Sequence, residues 1–433
     1  MRPQGARMAL GAFLMATGHH IAAWRHPEAA ADAGIDIDHY VRLAKTAEGA
    51  GFDLIFLEDA AGLREADARI ASQTSRSIGF EPLGLLATLA AHTRNIGLVA
   101  TASTSYNEPY ALARAFASLD LLSGGRAGWN LVTSASSIEA ANFGADGLRR
   151  HGDRYVRANE FADIVGRLWD PTDRHRPIGH TGENFAIAQG LGLPPSPQGA
   201  PVLVQAGASD VGRDLAARTA EVVFNAVQTF AAAKSFYDDV KRRTREAGRD
   251  PDHLKIMPGI SPVVAETRAE AQAKSDRLQS LIPDEVGVAL LASYLSTDAL
   301  KGLPLDGPLP DLGANEAMQS RQALVVEQAR RDGLSIRDVA RHFAGARGHW
   351  RVVGTAEDVA DHLEEWFTGE AADGFNVLPA FFPGELDSFT ELVIPELRRR
   401  GLFRHAYEGR TLRENLGLPR PGAPDMRNQG VIA

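Results

Sequence analysis

Through most of the first 265 residues, short apolar runs rich in β-formers alternate with amphipathic helical stretches, and no other feature constrains the fold as tightly. Parallel neighbouring strands need a crossover of a dozen or more residues, usually a helix, so this repetition specifies a parallel sheet. Strands are expected over 10–16, 52–60, 95–103, 126–134, 201–209, 221–227, 255–265 and 374–383. Helices are expected over 38–51, 82–93, 108–125, 153–169, 210–220, 229–247, 355–369 and 388–401, with a hairpin around 183–190. The helix over 108–125 is well punctuated: Pro109 sits in its first turn and Gly124–Gly125 stop it.

Eight strands, each followed or closed by a helix, predict an α/β fold, a (β/α)8 TIM barrel spanning 1–433 as one domain. Residues 266–345 show no clear strand and form a large insertion before strand eight, read as a lid. Residues 402–433 read as a mostly extended, polar C-terminal tail. The competing architecture is a doubly wound sheet, whose mark would be G-x-G-x-x-G directly after the first strand. Here "MATGHHIAAWRHP" follows instead, which disfavours a nicotinamide-binding domain of that kind.

Composition removes several kinds of chemistry. With no cysteine there is no disulfide, thiolate metal site or thiol nucleophile. The net charge of -9 argues against a nucleic-acid surface, which needs clustered Lys and Arg. No apolar run is long enough to span a bilayer and no signal-peptide cleavage pattern is visible, so a cytoplasmic location is expected. No metal site is expected: His19 and His20 are adjacent and point apart on an extended chain, and no H-E-x-x-H pattern occurs. "GASDVG" around Ser209 is not a hydrolase nucleophile elbow.

In a barrel of this kind the functional face lies at the C-terminal strand ends. Those ends carry His19, His20, Glu58, Asp59, Thr101, Ser103, Asn130, Thr133, Ser209 and Asn225, while the strand interiors stay apolar. Singly, each has an ordinary structural use, Asp59 as a helix cap and Thr101 as a β-former. Their coincidence at one end is what points to a site. Ser209 lies where a strand passes into a helix, so its hydroxyl and the free N–H groups that follow suit an anion such as phosphate. His151 and Tyr155, in "HGDRY", would add donors.

Eight segments carry a family resemblance: "AWRHP" (23–27), "FDLIFLED" (52–59), "ATASTSYNEPYALARAFASLDLLSGGRAGWNLVTS" (100–134), "NFG" (142–144), "RYVRANEF" (154–161), "SPQGAPVLVQAGAS" (196–209), "GFNVLP" (374–379) and "VIPELRRRGLF" (393–403). In these the chain resembles the flavin-dependent monooxygenases of the bacterial-luciferase superfamily, in the group of nitrilotriacetate, EDTA, dibenzothiophene-sulfone and long-chain-alkane monooxygenases. The resemblance implies a two-component enzyme that receives FMNH2 from a separate NAD(P)H:FMN reductase and forms a C4a-(hydro)peroxyflavin with O2. One oxygen atom would then enter a small organic substrate. It also implies FMN contacts at Asp59 and Thr101 on the ring and ribityl side and at His151, Tyr155 and Ser209 on the phosphate side, with Asn130, Thr133 and Ser134 along the flavin. His20 is expected to be catalytic and Phe13 and Trp24 to contact substrate. A homodimer or homotetramer is expected by the same likeness. The chain departs from the family pattern by being shorter between "LWDPTD" (168–173) and "GENF" (182–185). Two other functions stay open at this point: a non-catalytic FMN carrier and a deazaflavin-dependent hydride-transfer enzyme.

Overall fold

A computed structural model describes residues 5–421 except 66, 75, 77–78, 135, 145–146, 173–175, 296, 298, 311–324 and 327–328. Its strands are β1 (Ala9–Leu14), β2 (Leu54–Leu57), β3 (Gly97–Ser103), β4 (Ala127–Val132), β5 (His180–Thr181), β6 (Ala186–Ile187), β7 (Val202–Gln205), β8 (Val222–Asn225), β9 (Lys255–Val264), β10 (Trp350–Gly354) and β11 (Gly374–Val377). All but β5 and β6 join one parallel sheet. Pairing runs β1–β2–β3–β4–β7–β8–β9–β11 and returns to β1, so eight strands close a ring. β5 and β6 form the small antiparallel hairpin expected near 183–190.

Strands in such a ring are buried on both faces, and their side chains alternate between two cores. Inward, Ala9, Phe13, Leu54, Phe56, Val99, Val202, Val204, Val222 and Met257 fill the barrel. Outward, Leu10, Ala12, Ile55, Leu98, Trp129 and Leu131 meet the helices. The barrel is tight at Gly11, where a Cβ would come within 2.5 Å of Asn376 Oδ1 and 2.8 Å of Leu54 Cδ1.

Two features differ from expectation. A strand beyond the eight expected, β10, follows the insertion and pairs with the distal half of β9, from Trp350↔Ile260 to Gly354↔Val264. β9 is ten residues long, and only its first part is needed to close the ring. Its overhang recruits a strand outside the eight. The helical character of the insertion itself is correct, with helices Arg268–Ser280, Asp284–Leu295 and Ile336–Ala346.

The described part of the tail is neither extended nor merely polar. Thr411 caps a helix at Leu412–Leu416 through a capping box, and Leu412, Leu416 and Leu418 belong to the same cluster as the barrel interior. They seal the N-terminal end of the barrel. Arg413 pairs with Glu221 at the base of β8, 2.9 Å from Oε2. Arg404 pairs with Asp53 before β2, whose other oxygen accepts the Leu10 N–H at 2.7 Å. Periodicity could not reveal this because the apolar residues are few and isolated among charges. The part of the expected tail beyond residue 421 lies outside the described residues.

Among the described residues no helix is long and apolar enough to cross a membrane. Because Leu412 is fully buried, Leu412→Ala should cost about 2–5 kcal/mol of unfolding free energy, read as a lowered urea midpoint. A loss near zero would show that the tail does not plug the barrel.

Candidate active site

The C-terminal strand ends open into a cavity of about 720 Å³. Phe13, Phe56 and Phe224 form its apolar base, with ring centroids 4.8 Å apart for Phe13–Phe56 and 5.5 Å for Phe56–Phe224. Polar groups stand above them. Asn130 and Thr101 are register partners on β4 and β3, and Asn130 Nδ2 donates to Thr101 Oγ1 at 2.9 Å. Asn130 Oδ1 and, on β8, Asn225 Oδ1 are buried and have no hydrogen-bond partner among the described groups. Both residues line the cavity, and buried acceptors of this kind are satisfied by ligand or water.

Asp59 also lines the cavity. Desolvation in the concave mouth, with the Glu81 and Glu139 carboxylates nearby, pushes its carboxyl up. Glu58 behaves oppositely. Burial opposes its ionisation, but the guanidinium groups of Arg347, Arg64 and Arg76 outweigh that and hold it well below the ordinary carboxylate range. Arg64 and Arg347 each approach Glu58 to 3.1 Å.

The turn after β7 adjoins the cavity through Ala206 and Ala208. Ser209 caps the helix Asp210–Thr219, its Oγ accepting the Gly212 N–H at 3.2 Å. The Tyr155 hydroxyl lies 3.4 Å from Ser209 Oγ, and the His151 ring packs 4.9 Å from that of Tyr155. A Cβ at Gly207 would meet Gln205 Nε2 at 2.6 Å and Gly212 Cα at 3.1 Å, so bare backbone is required there. Two segments distant in sequence thus meet at one helix N-terminus, the arrangement that suits an anion.

Of the expected site residues, Phe13, Asp59, Thr101, Asn130 and Ser134 line the cavity, and His151, Tyr155 and Ser209 gather beside it. Ser134 has a positive φ of 41°, and its hydroxyl donates to Ser103 Oγ at 2.8 Å. Three other expected residues lie outside the cavity lining: Thr133, whose carbonyl accepts the Ser105 hydroxyl at 2.7 Å, His20 and Trp24. His20 does not line the cavity; it is buried where Ile21 and Ala22 pack against Ile282, Val286 and Ala344 of the insertion. The chain bends at both histidines, and it is His19 that turns toward the barrel, 4.4 Å from the Phe13 ring, with Nε2 2.9 Å from the Phe13 carbonyl. Trp24 reaches the second strand–helix loop, donating from Nε1 to the Gln73 carbonyl at 3.3 Å, with Arg25 over its ring. It staples two loops together instead of lining the pocket.

Sequence reading missed Arg64, Arg76, Arg347 and His349 among the lining residues. The two arginines after β2 sit in a loop without periodicity. Arg347 and His349 follow an insertion whose path over the barrel has no sequence code. Among the described residues no cluster of three or more metal-ligating side chains was found.

An apolar-based, polar-walled cavity with an anion cradle at the C-terminal face defines a TIM-barrel enzyme that works on or through a small molecule. Residues 12–373 match the luciferase-like monooxygenase family, and the chain belongs to it. It is accordingly a flavin-dependent monooxygenase by class. It is 45% identical to nitrilotriacetate monooxygenase component A of Aminobacter aminovorans, covering 96% of this chain and 97% of that one. Among solved structures it resembles EDTA monooxygenase from Chelativorans sp. BNC1, with a TM-score of 0.84, 33% identity and coverage of 96% and 99%. A riboflavin lyase solved with modified FMN and riboflavin is similar to the same degree, at a TM-score of 0.83, 32% identity and coverage of 96% and 97%.

His20 gives a test of its placement. Burial, with the Arg351 charge nearby, lowers its pKa to about 3, against about 6.5 in an unfolded chain. Between those values the unfolded state binds the proton and the folded state does not, so stability falls as pH drops. His20→Gln should flatten that acid limb by up to ~1.4 kcal/mol per pH unit, measured as urea midpoints from pH 6.5 to 4.5. An unchanged slope would mean that His20 is accessible to protons in the native state.

Proposed function

We propose that this protein is the oxygenating component of a two-component FMNH2-dependent monooxygenase. It would take reduced flavin from a separate NAD(P)H:FMN reductase and use O2 as co-substrate, inserting one oxygen atom into a small organic molecule. The observation that carries this reading is the union, in one cavity, of a phenylalanine base, unpartnered buried acceptors on Asn130 and Asn225, and an adjoining Ser209–Tyr155 cradle. These residues fit FMN, whose flat ring system needs apolar contact and polar edges and whose phosphate needs donors without a competing acid. The printed names of the relatives agree, one being a component A and another having been solved with modified FMN.

In this reading Ser209, Tyr155 and His151 bind the phosphate, while Thr101 and Asn130 present polar edges to the ring and ribityl side. Asp59 lies at the same mouth. Burial and the neighbouring Glu81 and Glu139 carboxylates push its carboxyl up. Phe13, Phe56 and Phe224 keep water from the barrel base. The helices of the insertion narrow the mouth, where Leu290, Ser293, Phe343 and Ala344 line the cavity. Reduced FMN, when bound, supplies the electrons and the reaction with O2, so the chain needs no nucleophile of its own. The assembly is proposed to be a homodimer or homotetramer.

The activity is tested with FMNH2 supplied photochemically or by a reductase under oxygen-18 gas, using nitrilotriacetate, EDTA and riboflavin as trial substrates. Oxygen-18 in an organic product is expected. Stoichiometric FMN binding without labelled product from any of them would favour a carrier. For the cradle, Ser209→Ala with Tyr155→Phe should weaken FMN binding by about 1.5–3 kcal/mol per lost charged hydrogen bond, less than additively. Equal FMN affinity in the double variant, read by fluorescence titration, would remove the phosphate from Ser209.

A further inference from the structure

Five charged side chains gather on the cavity wall beside the end of β2. Glu58 receives Arg64 on Oε1 and Arg347 on Oε2, each at 3.1 Å. Beside them Arg76 pairs with Glu65 at 3.3 Å. All five line the cavity, and their side chains are only 10–22% exposed. Three guanidinium groups against two carboxylates leave one positive charge in excess. The other carboxylates of the cavity, Asp59 and Glu139, take no part in these pairs; Asp59 feels the charge of Arg64 as well as those of Glu81 and Glu139.

The cluster also has unused donors. A guanidinium carries five N–H groups in a planar fork, and one carboxylate cannot occupy two such forks. Arg76 Nε is buried and lacks a partner among the described groups. A desolvated positive excess with spare donors is the environment that recruits an anion.

Arg347 shows what the fold gives up to place that charge. It ends the helix Ile336–Ala346 in the left-handed region, at φ 52° and ψ 36°. This conformation normally favours glycine or asparagine, and Gly348 is the very next residue. Held so, the side chain leaves the insertion and crosses to Glu58 and to Met15 Sδ, the latter at 2.7 Å. A backbone outlier kept by a charged residue at a cavity is a reason to look for function.

We infer that Arg64, Arg76 and Arg347, held in place by Glu58 and Glu65, form a carboxylate receptor, and that the substrate of this enzyme is a small polycarboxylate. The inference rests on the barrel-mouth cavity being the oxygenation site, as proposed above. Glu58 is then a positioning residue that keeps two forks side by side. The carboxylates of the substrate take their outer N–H groups, and its reacting part extends over the aromatic base. Arg347 ties recognition to the insertion, since the same side chain bridges insertion, barrel and substrate.

The test is calorimetric titration of the FMN-loaded protein with nitrilotriacetate and with propane-1,2,3-tricarboxylate, each against its trimethyl ester. The triacids should bind about tenfold or more tightly than the esters, as expected for charge-assisted hydrogen bonds, and should weaken as salt rises. Arg64→Gln and Arg347→Gln should each lower triacid affinity by about tenfold or more on the same grounds, and Arg347→Lys less. FMN affinity should stay within about twofold, which also reports that each variant is folded. Ser293→Asp removes no hydrogen bond among the described residues and adds a negative charge to the same cavity; it too should weaken triacid binding.

Esters binding as well as acids, or triacid affinity unchanged in folded arginine and Ser293 variants, would overturn the receptor. Loss of FMN affinity in Arg64→Gln or Arg347→Gln would overturn it as well, by assigning the arginines to the flavin. Oxygenation of an uncharged substrate with no triacid binding would leave the proposed activity standing without the receptor. Tight triacid binding with no oxygenation of any substrate would do the reverse.

Discussion

Closure of a parallel barrel leaves no strand edge unpaired, and the helical crossovers run every strand in one direction. All eight C-terminal ends therefore open on the same side, so polar residues separated by most of the sequence arrive at one mouth. Everything functional depends on this. Asn130 meets Thr101 because β3 and β4 are in register, and Ser209 meets Tyr155 because the turn after β7 lies beside the helix that follows β4. The interior supports the arrangement with a single apolar column, from Phe13 and Phe224 near the mouth down to Leu412 at the base.

Such a column leaves two openings, and the chain treats them differently. The lower one is sealed by the leucines of the C-terminal segment, with Arg404 anchoring it to buried Asp53 and Arg413 to partly buried Glu221. The upper one stays open and is lined by charge. Burial acts on ionisable groups at both ends, but the outcome depends on partners. Asp53 is raised to about 6 by burial despite Arg404. Glu58, also burdened by burial, is driven the other way by three guanidinium groups.

Much of this was legible in the sequence. The eight ring strands, the helical insertion and the convergence of Asp59, Thr101, Asn130 and Ser209 follow from periodicity and from the rule that function gathers at C-terminal strand ends. What escaped was of two kinds. β10 is five residues long and pairs only with the overhang of β9, so its existence depends on the length of a neighbour. Arg64, Arg76 and Arg347 belong to loops and a helix terminus, where side-chain direction follows tertiary placement. The positions of His20 and Trp24 away from the cavity lining escaped for a related reason. A one-residue change of facing separates His19 from His20, and no periodicity fixes it outside a regular strand.

The pairing of Asp53 with Arg404 has a consequence for synthesis. Asp53 belongs to the second strand unit made, yet its partner lies 351 residues later in the chain. At about 5–20 residues per second, that partner emerges roughly 20–70 s afterwards. Until then a carboxylate destined for the interior has no counter-charge, and the barrel base has no leucines to fill it. On this schedule the buried Asp53 and the barrel base acquire their native partners only after Arg404 and Leu412 have been made.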